Sequence, residues 1–289
     1  MRPLVVSILT LLLAMISIQS GAAVAKGLFA AVGAPGTATL RAGLAAMMLC
    51  LLWRPWQTPL TRAQAKPVLA YGLALGCMNL SFYLALARIP LGIAVALEFM
   101  GPLALALLGS RKAVDFVWGL LAVAGVALLM PIGQFSARLD PLGVLLALVA
   151  GLCWAVYIIC GQKAVAAAGG RSSATLGMLV AACLVLPIGV ADAGTRLLQP
   201  AILPAALAVA LFSSALPYSL EMIALRHLPA RTFGILMSLE PALAAMSGLA
   251  ILHEQLSPLQ WLAIGLIMAA SLGSSLSARA AMIGPESAA

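Results

Sequence analysis

The sequence predicts an all-α integral membrane protein, with ten transmembrane helices forming two inverted five-helix repeats. Three observations lead there: a composition too apolar for a soluble domain, ten apolar runs separated by short breaks, and a second half that repeats landmarks of the first. Of the 289 residues, 64% are hydrophobic and 8% are charged. An ordinary soluble domain carries about 25% charged residues, and so few charges cannot supply a polar skin. The surface must face lipid. A span takes ~20 apolar residues, so a large soluble catalytic domain is excluded.

Apolar runs between charge and Pro/Gly breaks place the spans near 4–25, 33–53, 67–87, 91–109, 114–131, 141–162, 173–191, 201–222, 232–252 and 258–277. The first follows Arg2 and ends near Ala23-Val24-Ala25, which also fits a signal peptide and its cleavage site. Its counterpart in the second half favours a retained span. The second carries Arg41 in its interior, and Arg54, Arg62 and Lys66 separate it from the third. Arg88 closes the third, and Arg111-Lys112 divides the fourth from the fifth. Arg138 precedes the sixth, Lys163 and Arg171 flank the turn into the seventh, and Arg196 leads to the eighth. Arg226 and Arg231 separate the eighth from the ninth, His253-Glu254 follows the ninth, and Arg279 follows the tenth.

The net charge is +8. In a soluble chain this would suggest nucleic acid, but here it fits the loop bias that orients membrane proteins. With a cytoplasmic N-terminus, eleven basic residues fall inside and only Lys26, Arg88, Arg138 and Arg196 outside. Both termini are expected to be cytoplasmic. Cys50, Cys77, Cys153, Cys160 and Cys183 lie in apolar stretches without a CxxC, so they read as packing residues. No metal and no cofactor is expected, and no nucleic acid partner. The oligomeric state is left open.

The repeat fixes the architecture. Ala85-Leu-Ala-Arg-Ile-Pro90 matches Ala224-Leu-Arg-His-Leu-Pro229 at an offset of 139, as Pro102 matches Pro241. Lys26 at the end of the first span matches Lys163 at the end of the sixth, an offset of 137. Repeats covering 1–135 and 136–289 each hold five spans. Five is odd, so the second repeat enters the membrane from the opposite side. Many secondary transporters are built this way, with the substrate near the midplane between the halves. Duplication without transport is the plainer alternative.

Several runs carry a resemblance. Pro90-Leu-Gly-Ile-Ala-Val-Ala-Leu-Glu-Phe-Met-Gly-Pro102 with Val114-Asp-Phe-Val-Trp118 is similar to the threonine/homoserine exporters. So are Leu216-Pro-Tyr-Ser-Leu-Glu-Met-Ile-Ala-Leu225, Arg231-Thr-Phe-Gly234 and Met237-Ser-Leu-Glu-Pro-Ala-Leu-Ala244. These exporters are of the EamA type in the drug/metabolite transporter superfamily, and the likeness covers nearly the whole chain. It implies a ten-helix carrier of the bacterial inner membrane that exports small amino acids (threonine, homoserine) in exchange for protons. The polar C-terminal tail is short for the group.

Ionisable groups in hydrocarbon are costly and commonly mark a pathway or a partner. Glu98 and Glu240 lie in equivalent spans, each beside a proline. Pro102 cannot donate to the carbonyl of Glu98, and Pro241 frees that of Met237. A carboxylate beside an unpaired backbone acceptor suits an ammonium group or a proton in transit. A hydrogen-bonded Glu supporting a kink is the alternative. Asn79 and Tyr83 lie one turn apart on one face, and Ser214, Tyr218 and Glu221 share another. Adding 139 to Asn79 gives Tyr218. Gln19, Trp154 and Tyr157 lie well inside their spans. These groups either line a pathway or hydrogen-bond between helices. Arg41 either holds a substrate carboxylate or neutralises Glu98, Glu221 or Glu240. His253-Glu254 is followed by Gln255-Leu256-Ser257, which is not HExxH, and reads as a loop cap. Gly72 and Gly76 form a GxxxG that says little alone.

The chain has no GxxxxGK[ST] phosphate loop, so energy must come from an ion or substrate gradient. An intramembrane enzyme would need a nucleophile–base or metal set. His227 and His253 sit at span ends without one, so the protein is not expected to be an enzyme. A channel lacks support next to the repeat. Within carriers, another metabolite or a cationic drug is the alternative cargo.

Overall fold

The structure is a computed structural model and describes residues 2–57, 60–108, 113–129, 139–217, 220 and 236–282. Among these residues all regular structure is helical. The first half contains α1 (Arg2–Gly27), α2 (Phe29–Trp53), α3 (Arg62–Leu86), α4 (Leu91–Glu98), α5 (Met100–Leu108) and α6 (Ala113–Leu129). The second contains α7 (Pro141–Ala168), α8 (Gly170–Ala193), α9 (Leu203–Ala210), α10 (Glu240–Leu252) and α11 (Pro258–Met282). Five described helices are long and apolar enough to span a membrane, and five shorter apolar segments fill the remaining places.

Local signals set the starts and stops. Thr61 and Gln64 form a capping box at α3, each side chain accepting the other's backbone N–H. This satisfies donors that a helix start leaves unpaired. Asp140 caps α7 by accepting from Leu142 N–H at 2.9 Å, with Pro141 at the first helical position. Gly169, at φ 78°, is the whole turn between α7 and α8, in a region that favours glycine. The sixth span thus runs further than its sequence suggested.

The fourth and ninth spans are broken. Phe99, itself helical at φ −64° and ψ −15°, marks the interruption between α4 and α5, three residues before Pro102, which has no N–H to close the turn onto Glu98. Ser238-Leu239 forms the second break, and Glu240-Pro241 starts α10. Both breaks fall beside the prolines marked in the sequence.

Packing is that of a membrane protein. Large side chains point outward, with Leu51 66% and Phe116 72% exposed, while Ala23, Ala45, Ala147 and Ala245 are buried. Without a hydrophobic drive between helices, small residues let backbones approach and make the contacts. A Cβ on Gly92 of α4 would meet Ala245 of α10 at 2.6 Å. Gly101 and Gly151 bring the α5 and α7 backbones together so closely that neither tolerates a side chain. Gly72 and Gly76 face Val180 and Ala181 of α8, so that GxxxG is a real helix contact.

The main helix pairings across the halves recur when the halves are exchanged. Across the halves α2 packs on α8, α4 on α10 and α6 on α11. The α3–α7 contact has its counterpart in α9–α1, and α1–α10 has its counterpart in α7 against α4 and α5.

Candidate functional site

The interior polar groups gather where the two broken spans meet α1, α2 and α3. Arg41, half-buried on α2, donates through Nη1 to the Ser213 carbonyl at 3.1 Å and to Ser213 Oγ at 3.2 Å. Its Nη2 donates to Asn79 Oδ1 of α3. Asn79 in turn donates to the Leu75 carbonyl at 2.8 Å, which fixes its amide. The guanidinium carbon lies 5.3 Å from the centre of the buried Tyr83 ring, a cation–π distance. The Tyr83 hydroxyl faces Ser213 without closing a hydrogen bond. Arg41 Nε has no hydrogen-bond partner among the described residues.

The first helix reaches the same place from the other side. Gln19 Nε2 donates to Glu240 Oε1 at 3.0 Å, both residues being buried. Glu240 opens the first turn of α10, where the helix's positive pole favours a negative charge. Glu98, the last residue of α4, is buried within electrostatic reach of Glu240 and Arg41. Its carboxyl accepts no hydrogen bond from any described residue. Among the described residues no carboxylate pairs with Arg41 within ion-pair distance. Arg41 thus makes no direct ion pair with Glu98 or Glu240, though it stands within electrostatic reach of Glu98, and Glu221 lies outside the described residues.

One member was missed by a single residue. Sequence spacing pointed to Ser214, yet Ser213 meets Arg41. Residues Leu211–Ala215 form a π turn, in which Leu216 N–H bonds the Leu211 carbonyl. A π turn takes one residue more than an α turn and shifts the facing register. Ser17 Oγ donates to the Phe212 carbonyl at 2.6 Å and Arg41 to that of Ser213, so the loosened carbonyls bind neighbouring helices. Ser214 is buried nearby in the chain, its hydroxyl without a partner among the described residues. Tyr218 lies outside the described residues.

The sixth-span candidates divide. Trp154 packs edge-on against Phe99, 5.6 Å between ring centres, next to Glu98 in sequence. Tyr157 instead stacks on Tyr71 at 4.8 Å, with their hydroxyls 3.3 Å apart. That pair belongs to the α3–α7 contact. Tyr71 had given no signal, since its partner lies 86 positions away.

At the end where α1 finishes, two ion pairs join separate corners. Lys26 Nζ lies 2.6 Å from Glu254 Oε1, and Arg88 Nη1 lies 2.7 Å from Asp140 Oδ2. Glu254 is thus an ion-pair partner in addition to its place in the cap, where its N–H bonds the Gly248 carbonyl after His253 ends α10. The Arg88 hydrogen bond, with that of Leu142 N–H, holds the Asp140 carboxyl below the usual carboxylate range. No group of three or more metal-ligating side chains occurs among the described residues.

An all-helical, multi-pass chain with a polar cluster enclosed between two broken spans has the build of a membrane transporter. The comparisons with known proteins agree. The sequence pattern of the EamA-like transporter family matches residues 141–276. The threonine/homoserine exporter RhtA of Escherichia coli K12 is 53% identical over 277 residues, 96% of this chain and 94% of that protein. RhtA of Salmonella typhimurium SL1344 is 54% identical over the same shares. A solved crystal structure, 18% identical, covers 99% of both chains with a TM-score of 0.60, a likeness of fold. The chain belongs to the EamA-like transporter family, and within it to the family of the RhtA proteins. It is a transporter and not an enzyme.

Proposed function

We propose that this protein exports small amino acids, threonine and homoserine among them, across the bacterial inner membrane in exchange for protons. The substrates come from the RhtA relatives, whose names state threonine/homoserine export. The supporting observation in the structure is an interior guanidinium within electrostatic reach of Glu98, with a second interior carboxylate, Glu240, close by. A zwitterionic amino acid carries both complementary charges.

In this reading Arg41, held over the Tyr83 ring by Asn79 and Ser213, receives the substrate carboxylate with its remaining donor capacity. Planar, multi-donor guanidinium groups suit carboxylates. Glu240, steadied by Gln19 and the start of α10, receives the ammonium group. Glu98, without a hydrogen bond from any described residue, exchanges the proton. Trp154 and Ser214 border the pathway, and Tyr218 belongs to it by its equivalence to Asn79. Tyr157 serves the helix contact. The repeats are 1–135 and 136–289, related by inversion, with both termini cytoplasmic. The recurrence of the main pairings across the halves supports equivalent halves, and the loop charge bias supports the orientation.

Counterflow of labelled threonine or homoserine into proteoliposomes, with and without a pH gradient, tests this directly. Uptake of both amino acids with acceleration by the gradient is expected. Transport of a different metabolite or a cationic drug, and of neither amino acid, overturns the substrate assignment.

A further inference from the structure

We propose that Lys26 and Glu254 form an ion-pair gate closing one end of the pathway, two helical turns from the site. This rests on the transporter reading above but not on the identity of the substrate. Glu254 uses both oxygens: Oε1 takes Lys26 Nζ at 2.6 Å, and Oε2 takes Leu91 N–H at 2.8 Å. Lys26 Nζ also donates to the Ile89 carbonyl at 3.1 Å. Three corners are tied by one carboxylate and one ammonium: the end of α1, the α3–α4 turn and the α10–α11 turn.

The register links this knot to the site. Gln19 and Lys26 lie seven residues apart on α1, and so do Glu98 and Leu91 on α4. Seven residues are two turns, ~10 Å along the axis. On both helices the lower member is a site residue and the upper belongs to the knot. Between the two levels lie Ala22, Ala23, Val95, Ala96, Ala244 and Ala245, all buried in one apolar cluster. The knot therefore caps a dry plug of small side chains, on the same three segments that carry Gln19, Glu98 and Glu240.

The corner is built to let the pair come apart and re-form. His253 ends α10 in the left-handed region at φ 56°, and Glu254 N–H bonds back to the Gly248 carbonyl at 3.1 Å. Gly248 leaves room for the Glu254 carboxylate, which a Cβ there would meet at 2.6 Å. The pair is partly exposed, with 23% and 15% of the side chains accessible. Such pairs are modest in energy, as water competes for both charges, and this suits a contact that must break in every cycle.

The opposite end differs. Lys163, the repeat counterpart of Lys26, is exposed and makes no ion pair with any described residue. The structure is closed by charge at the Lys26 end. On the proposed orientation that end faces away from the cytoplasm.

The test reads accessibility rather than transport. The five native cysteines are replaced, Ala23→Cys is introduced in the plug, and a membrane-impermeant maleimide is applied to right-side-out and to inverted membrane vesicles. In Lys26→Gln and Glu254→Gln, modification from one side is expected to be at least about tenfold faster than with the native pair, a shift of ~1.4 kcal/mol in the closed state. Lys26→Arg should stay near the native rate. Equal rates in all four proteins from both sides, in folded and monodisperse material, overturn the gate. Faster labelling together with failed threonine counterflow upholds the gate and removes only the substrate assignment.

Discussion

Glu98 and Glu240 lie in matching spans and beside matching prolines, yet the structure treats them in opposite ways. At Glu98 the backbone runs on helically through Phe99 into α5, whereas Glu240 stands in the first turn of α10. A carboxylate at a helix start meets the positive pole, and of the two only Glu240 has that setting. Glu240 is also held by Gln19, while Glu98 accepts no hydrogen bond from any described residue. The two matching sequence positions thus carry carboxylates with unequal hydrogen bonding. In the proposed function one is the substrate anchor and the other the proton exchanger.

The comparison breaks first at the anchor. Glu240→Gln should lower threonine counterflow by about 100-fold, since truncating one member of a buried charge contact costs ~2–5 kcal/mol. Counterflow within threefold of the native rate would make the two carboxylates alike. Gln19→Ala attacks the same anchor more gently. Loss of one hydrogen bond to a charged group is worth ~1.5–3 kcal/mol, so half-saturation for threonine should rise by about tenfold or more, at unchanged protein level. An unchanged half-saturation would leave Gln19 a packing residue.

The exchanger's setting can be disturbed without touching its carboxyl. Gly151→Ala would place a Cβ 2.5 Å from the Glu98 carbonyl. Overpacking of this kind costs ~1–3 kcal/mol, which should lower the thermal midpoint in detergent by several degrees and weaken the response to a pH gradient. A native midpoint would mean the α5–α7 approach is looser than it looks.

The smallest effect is expected at Asp140, far from either carboxylate of the site. Its pKa is depressed when folded, so its contribution is present above the unfolded value of about 3.9 and is lost as pH falls through the folded value. Between pH 8 and 5, Arg88→Ala and the native protein should therefore show the same pH dependence of stability. A difference appearing already at pH 6 would mean another group titrates at that corner.

Much of this was legible in the sequence because it is periodic or compositional. Ten apolar runs gave ten spans, and Pro102 and Pro241 marked both breaks. Asn79 and Tyr83, one turn apart, do meet the same guanidinium. Ser213 was not legible, because helical spacing assumes an α register and Leu211–Ala215 is a π turn. Contacts between distant positions were hidden too. Lys26 and Glu254 are 228 residues apart and Gln19 and Glu240 are 221 apart, so no local pattern could join them. Arg41 shows the limit most clearly. Its place within a span was evident, but only the structure shows that Asn79, Ser213 and Tyr83 hold it rather than any carboxylate among the described residues.

The inequality of the two carboxylates is tested most directly by threonine counterflow in proteoliposomes of Glu98→Gln, with and without an imposed pH gradient. Counterflow without a gradient should stay within about threefold of the native rate, because the substrate anchors remain, while acceleration by the gradient disappears. Native acceleration in Glu98→Gln at equal protein level would contradict the assignment of the proton to Glu98.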